Sequence, residues 1–384
     1  MAPCIPAHYW QSQWLPVHRD PLSVAYLKSL VHAVISILRN MLRPSCRPRS
    51  GGRMAVALRF VLASVLLATS SQAAAVLVVR FSHVVSEDTP KGMAANRFKE
   101  LVEKRSDQRI RVDVYPRSTL YDDKDEMLAL QLGAVEIIAP SLSKFGRFGF
   151  PNFELFDLPF LFRTIEDVHR ITEGPVGKGL LKELSRQQFL GLGFLDNGFK
   201  HMSANRPLLH PKDYKGLRMR IQPSRLIAAQ MQALGARPIP LALSETRTAL
   251  ARNVVDGTEN PLSNFVTQQI NEVQSDLTLT NHGYLGYAVV TNQRFWHSLT
   301  EQDRSVLAGA MADALVYGNQ LTASHDDKAL AVLHETDQTQ IHVLSDAERA
   351  GLKAAMKPVY ESAKTRISAK VLDQVFQDLS EQRQ

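Results

Sequence analysis

Between residues 76 and 115 the chain sets out three patterns in succession that leave few folds open to it. A β-branched run, Val76-Leu77-Val78-Val79-Arg80-Phe81, comes first, and a strictly alternating run, Ile110-Arg111-Val112-Asp113-Val114-Tyr115, comes last. Both read as strands. Between them Ala94, Phe98, Leu101 and Val102 recur at helical spacing, Thr89 is placed to cap the helix and Pro90 stands at its first position. A strand, a helix and a strand in this order make a crossover unit, and such a unit needs a sheet with helices packed on its faces. The same alternation continues. A helix is expected over 124–132, strands over 134–139, 191–195 and 217–221, helices over 224–235 and 244–252, and a strand over 284–291. A Phe- and Pro-rich loop occupies 145–162, and the chain from 298 onward is mostly helical. The fold class is α/β, and the length from residue 76 suits two domains of ordinary size. No internal repeat or low-complexity segment interrupts it.

Residues 1–75 differ in kind. They hold eight basic side chains, Arg19, Lys28, Arg39, Arg43, Arg47, Arg49, Arg53 and Arg59, against the single acid Asp20, which leaves 37 basic and 37 acidic residues in 76–384. The net charge of +7 therefore belongs to this leader, and a nucleic-acid partner loses its main support. Both cysteines, Cys4 and Cys46, also lie upstream, so disulfide scaffolds, thiolate metal sites and cysteine nucleophiles are excluded from the main body. Within 54–75, Arg59 precedes an apolar run over 60–68 and small residues ending Ser71-Gln72-Ala73. That is the plan of a signal peptide, expected to be cleaved after Ala73 or Ala75. The run is shorter than the roughly 20 apolar residues a membrane helix needs. Residues 1–53 are expected to be a non-native upstream extension, with Met54 as the start. The alternative is a membrane-surface helix over 22–43.

A search for catalytic chemistry returns little. There is no nucleophile elbow, phosphate loop, GxGxxG or HExxH, and the histidines never pair at ligand spacing. Asp122, Asp123, Asp125 and Glu126 lack calcium-loop spacing and are read as charges favoured at a helix N-terminus. No cofactor and no metal are expected. Cationic and amide residues gather instead near strand ends, where open α/β sheets bind ligands. The segment from Asp196 to Arg206 follows the strand expected to end at Leu195. In the strand over 217–221, period two places Arg218 and Arg220 on the same face and does not choose between them. Asn260 lies in a stretch rich in turn residues.

Five stretches carry a resemblance: FSHVVSEDTPKG at 81–92, APSLSKFG at 139–146, DNGFKHMSANRPL at 196–208, GLRMRIQPS at 216–224 and VVDGTENPL at 254–262. Over 78–384 the sequence resembles the extracytoplasmic solute-binding proteins of TRAP transporters, in the C4-dicarboxylate-binding DctP branch. The resemblance implies a two-lobed periplasmic-binding-protein fold, with crossing strands and helices between the lobes and a ligand cleft between them. One lobe is expected from 76–197 plus 286–325, the other from 198–285 plus 326–384. It also implies a periplasmic protein without catalysis, a small organic acid as ligand, and a TRAP permease of small and large membrane subunits as partner.

Carried over residue by residue, the resemblance gives Arg220 as the carboxylate anchor, Asn260 as the amide orienting that carboxylate and Lys200 as the cation for a second carboxylate. Ser141 and Lys144 line the first lobe's side of the cleft. A guanidinium suits the first role because it offers a carboxylate two parallel hydrogen bonds and stays charged. Lys91 has an independent argument as a ligand-binding residue, since a lysine in the first turn opposes the helix dipole and that cost is explained if an anion binds there; surface tolerance is the alternative. His83 follows the first strand and is placed to hydrogen-bond a ligand or to serve structure. Leu243 falls where some relatives have an aromatic, which implies a small apolar wall. The expected ligand is succinate, fumarate or malate. The alternatives are another organic acid on the same fold, or an exported enzyme acting on an acidic substrate.

Overall fold

The computed structural model describes residues 76–380; the upstream extension and signal peptide expected over 1–75 lie outside them. The first crossover unit forms as the pattern dictates, with β1 (Leu77–Ser82), α1 (Pro90–Arg105) and β2 (Ile110–Tyr115). Thr89 caps α1, its hydroxyl accepting the Gly92 N–H at 3.2 Å, and Ala94, Phe98, Leu101 and Val102 are buried. Then come α2 (Glu126–Leu132), β3 (Ile137–Ile138) and α3 (Leu142–Phe145). The strand expected over 134–139 thus shrinks to two residues. The aromatic loop holds a 3₁₀ turn, Pro151–Asp157, and its rings are core: Phe145 stacks on Phe153 with centroids 4.5 Å apart.

After α4 (Ile165–Glu173) and α5 (Pro175–Glu183) the chain enters β4 (Phe189–Ala204), a strand of 16 residues where five were expected over 191–195. Its pairing with a second long strand shifts register at Gly191/Gly193, Asp196/Gly198 and Lys200/Met202. Bulges of this kind interrupt the alternation that reveals strands. Gly198 sits at φ +125°, a conformation that L side chains rarely adopt. Next are β5 (Arg218–Ile221), α6 (Arg225–Ala233), β6 (Arg237–Pro240), α7 (Leu243–Ala251), β7 (Gly257–Asn260) and α8 (Leu262–Thr267). Asn260 therefore ends a strand, not a turn. The second long strand is β8 (Asp276–Asn292), of 17 residues where eight were expected over 284–291. α9 (Gln293–Ser298), the 36-residue α10 (Glu301–Thr336), β9 (Gln340–Val343) and α11 (Asp346–Met356), α12 (Pro358–Lys364) and α13 (Ala369–Ser380) complete the described chain.

The nine strands of the described residues form one sheet in the order β2-β1-β3-β8-β4-β7-β5-β6, with β9 also paired to β8. Parallel β1, β2 and β3 stand at one end, and parallel β5, β6 and β7 at the other. Antiparallel β4 and β8 run through both, which makes the fold two-lobed. At roughly 3.3 Å per residue each of these strands is about 50 Å long. One core lies under α1 and α10, around Phe81, Phe98 and Met311. A larger one continues from Phe145 and Phe153 through Tyr284 to Met231, Leu352 and Val375. No helix among the described residues is long and apolar enough to cross a membrane.

Candidate functional site

The C-terminal ends of β1, β5 and β7 converge on β8 and leave a small cleft between them. β5 sets its central charge. Arg218 and Arg220 share a face, but Arg218 stays at the outer part of the strand and pairs with Asp256 at 2.6 Å. Arg220, two residues on, is buried in the cleft wall. Its Nε and Nη2 both donate to the Leu241 carbonyl, at 3.1 and 2.8 Å, which fixes the plane of the guanidinium. Among the described residues Nη1 has no hydrogen-bond partner, and no carboxylate forms an ion pair with this arginine. Burial lowers its pKa from the ordinary arginine value, with Asp123, Glu259 and Glu245 opposing. A side chain fixed on one edge and unmatched on the other is ready for an anion.

Asn260 stands beside it at the end of β7, its amide donating to Thr258 Oγ1 at 3.2 Å. Asn264, one turn into α8, adds a buried carbonyl oxygen with no partner. Ser141, before α3, hydrogen-bonds Gln222, which follows β5. Tyr287 closes the floor, while Val84, Val85, Leu243 and Leu285 make the apolar part of the lining. The small apolar wall expected at Leu243 is present.

Lys144 also lines the cleft, but it is committed. Its ammonium lies against both Asp123 and Glu126, and all three side chains are at most 8% exposed. For Asp123 burial pushes the carboxyl up, yet Lys144, the Leu243 N–H and Arg220 outweigh it and bring the pKa down to about 2. For Lys144 burial works downward, and the two carboxylates reverse it and raise the pKa above the ordinary lysine value. Lys144 thus serves first to neutralise acids. Asp123 and Glu126 were read from sequence as helix-terminus charges; what reveals them as part of the site is a partner about 20 positions away, which local spacing does not show.

Three other predicted residues lie behind the lining. Lys91 is buried, donates to the Ala139 carbonyl at 3.0 Å and places its ammonium 3.5 Å from the Tyr287 ring centroid. Burial brings its pKa down to about 7. Lys91 is absent from the cleft lining, so the bound anion expected there is not in reach of its ammonium; the Glu126 charge opposes the effect of burial on it. His83 is fully buried with neither ring nitrogen partnered, and burial followed by the Lys91 charge lowers its pKa to about 3, so it stands neutral. Lys200 is the largest departure from expectation. Because β4 continues past Leu195, Lys200 lies inside the sheet, not in a loop at the cleft mouth. Its ammonium is 2.6 Å from Glu259, with His282 3.7 Å from the same carboxylate oxygen, and it is absent from the cleft lining. Gly283 makes room for it, since a Cβ there would come within 2.8 Å of Lys200 Cε. Among the described residues no group of three or more His, Cys, Asp or Glu is placed to hold a metal.

The model for bacterial extracellular solute-binding protein family 7 matches residues 81–366. The chain belongs to that family. Among family-7 relatives, the C4-dicarboxylate-binding periplasmic protein DctP of Rhodobacter capsulatus is 49% identical over 296 residues, covering 77% of this chain and 89% of the relative. A TRAP periplasmic solute-binding protein from Shewanella oneidensis, solved with bound succinate, superposes with a TM-score of 0.77 at 41% identity, covering 79% of this chain and 99% of that one. One from Pseudomonas aeruginosa, solved with bound L-malate, gives a TM-score of 0.72 at 38% identity, covering 74% and 99%. This family-7 chain is accordingly an extracytoplasmic solute-binding protein with the two-lobed fold of its relatives.

Proposed function

We propose that the protein captures a C4-dicarboxylate in the periplasm, without altering it, and delivers it to a TRAP permease of small and large membrane subunits for sodium-driven uptake. Arg220 carries this reading, as the cation in the cleft wall whose free edge has no partner. One ligand carboxylate meets Arg220 and is oriented by Asn260, and Ser141 lines the opposite side of the cleft. Lys144 and Lys91 hold the acids and the tyrosine that shape the floor. Lys200 supports the site from inside the sheet through Glu259, the neighbour of Asn260. The side chains of Val84, Val85 and Leu243 offer no hydrogen bonds, which suits a four-carbon chain better than a polyhydroxy acid. The relatives named above, which bind C4-dicarboxylates, succinate and L-malate, support the ligand class. On this reading 76–197 with 286–325 form one lobe and 198–285 with 326–384 the other, and residues 54–75 direct export and are removed.

The test is calorimetry of the purified protein against succinate, fumarate, malate, 2-oxoglutarate and lactate. The C4 diacids bind, with no turnover of the bound acid. Charge-assisted hydrogen bonds contribute roughly 1.5–3 kcal/mol each, so Arg220→Met weakens binding at least about a hundredfold, or about 2.8 kcal/mol. A variant within threefold of wild type refutes the anchor.

A further inference from the structure

We infer that Asp123 reads the substituent beside the arginine-bound carboxylate, and that the cleft therefore selects a 2-hydroxy diacid over its unsubstituted analogue. The inference rests on the dicarboxylate reading above and narrows it.

Lys144 balances the Asp123 charge, but the carboxylate still faces the cleft as an acceptor, and a ligand anion beside it is disfavoured where water is excluded. Asp123 lines the cleft together with Arg220 and interacts with its charge without an ion pair. Its Oδ2 accepts the Leu243 N–H at 2.6 Å, and Oδ1 faces the Lys144 ammonium. Two carboxylate oxygens offer about four acceptor sites, so capacity remains. Its low pKa, about 2, leaves it no proton to donate at neutral pH. Whatever lies between Arg220 and Asp123 must present an anion to the first and a donor to the second.

A fully ionised succinate has no donor. Its methylene would leave the Asp123 lone pairs desolvated, and its distal carboxylate would be repelled there. A hydroxyl on the carbon next to the Arg220-bound carboxylate supplies the donor at the required side. The cleft lining also holds one buried acceptor without a partner, Asn264 Oδ1, which likewise asks for a donor-bearing ligand. Gln222 does not compete for the hydroxyl, since its carbonyl oxygen accepts from Ser141.

The test compares succinate, each enantiomer of malate and 2-fluorosuccinate, which matches the hydroxyl closely in size but cannot donate. In wild type the better-bound malate enantiomer exceeds succinate at least tenfold, about 1.4 kcal/mol, and 2-fluorosuccinate falls to the succinate level or below. In Asp123→Asn the malate-to-succinate ratio narrows to within threefold, chiefly because succinate binds better. A purely structural role for Asp123 would weaken all three ligands alike and leave the ratio in place. Equal binding of malate and succinate by wild type, malate-like binding of 2-fluorosuccinate, or a ratio that persists in Asp123→Asn each overturns the inference. The wild-type comparison decides the matter even if the variant does not fold. Diacids that bind through Arg220 with a flat ratio remove this inference alone, whereas failure of every diacid to bind removes the dicarboxylate reading with it.

Discussion

Replacing Lys200 by methionine separates two roles a buried lysine beside a ligand cleft can have. The Lys200 and Glu259 side chains are 1% and 0% exposed and meet at 2.6 Å. Removing one partner of such a pair strands the other charge in the interior, at a cost of about 3–5 kcal/mol. At about 2 °C per kcal/mol for a domain of this size, Lys200→Met lowers the melting temperature of ligand-free protein by about 6–10 °C at pH 7. Lys200→Met combined with Glu259→Gln recovers most of the loss, which a double-mutant cycle reports as coupling. Acid gives an independent check. Burial pushes the Glu259 carboxyl up, but Lys200 and then His282 outweigh it and bring the pKa down to about 2. A depressed carboxylate stabilises the fold above its unfolded pKa, about 4.3, and that stabilisation is lost as pH falls through the folded value. The gap between wild type and Lys200→Met accordingly closes between about pH 4 and pH 2. Differential scanning calorimetry across pH reads both effects. A variant melting within 2 °C of wild type at pH 7, or a gap that does not vary with pH, would falsify the structural role.

Two further outcomes follow from the crossing strands and the helices packed near them. His169 Nε2 lies 2.6 Å from Asp196 on β4, and its pKa is raised, first by that hydrogen bond, against the opposing effect of burial. A raised histidine stabilises below its unfolded pKa, about 6.5, and loses the effect as pH rises through the folded value. The melting-temperature advantage of wild type over His169→Gln is therefore largest near pH 5 and declines toward pH 9; a constant difference contradicts it. Gly198→Ala forces a side chain onto φ +125° and brings its Cβ to 3.0 Å from Asp326 Oδ2, for a cost of about 1–3 kcal/mol. Gly179→Ala, in α5 with open space around it, adds about 0.5–1 kcal/mol instead. Urea unfolding of the two variants checks the opposite signs.

How far the sequence discloses this molecule depends on how local each determinant is. The first crossover unit is legible because Thr89, Pro90 and the spacing of Ala94, Phe98, Leu101 and Val102 all lie within one helix and its cap. The long strands are not, since Gly191, Gly193 and Gly198 break the alternation where the ladder shifts register. Asn260 misleads for a related reason: Gly257 and Pro261 look like turn residues, while pairing with His201 makes Asn260 the end of a strand. Among site residues, Arg220, Asn260, Ser141 and Lys144 meet in the cleft, and the family resemblance singles them out. Period two cannot separate Arg218 from Arg220, because they share a face and differ only in which lies nearer the cleft. The commitment of Lys144 to Asp123 and Glu126, and of Lys200 to Glu259, depends on contacts between distant segments and leaves no local trace.

The continuity of β4 and β8 also limits how proteins of this kind can be recombined. Each strand contributes its first part to one end of the sheet and its last part to the other, and α10, about 54 Å long at 1.5 Å per residue, follows β8 by only eight residues. A chimera that joined one lobe to the opposite lobe of a relative would have to splice both strands at the same rung and preserve their three register shifts. The lobes are not interchangeable modules, and new ligand preferences are reached more readily by exchanging single side chains at the cleft than by shuffling halves.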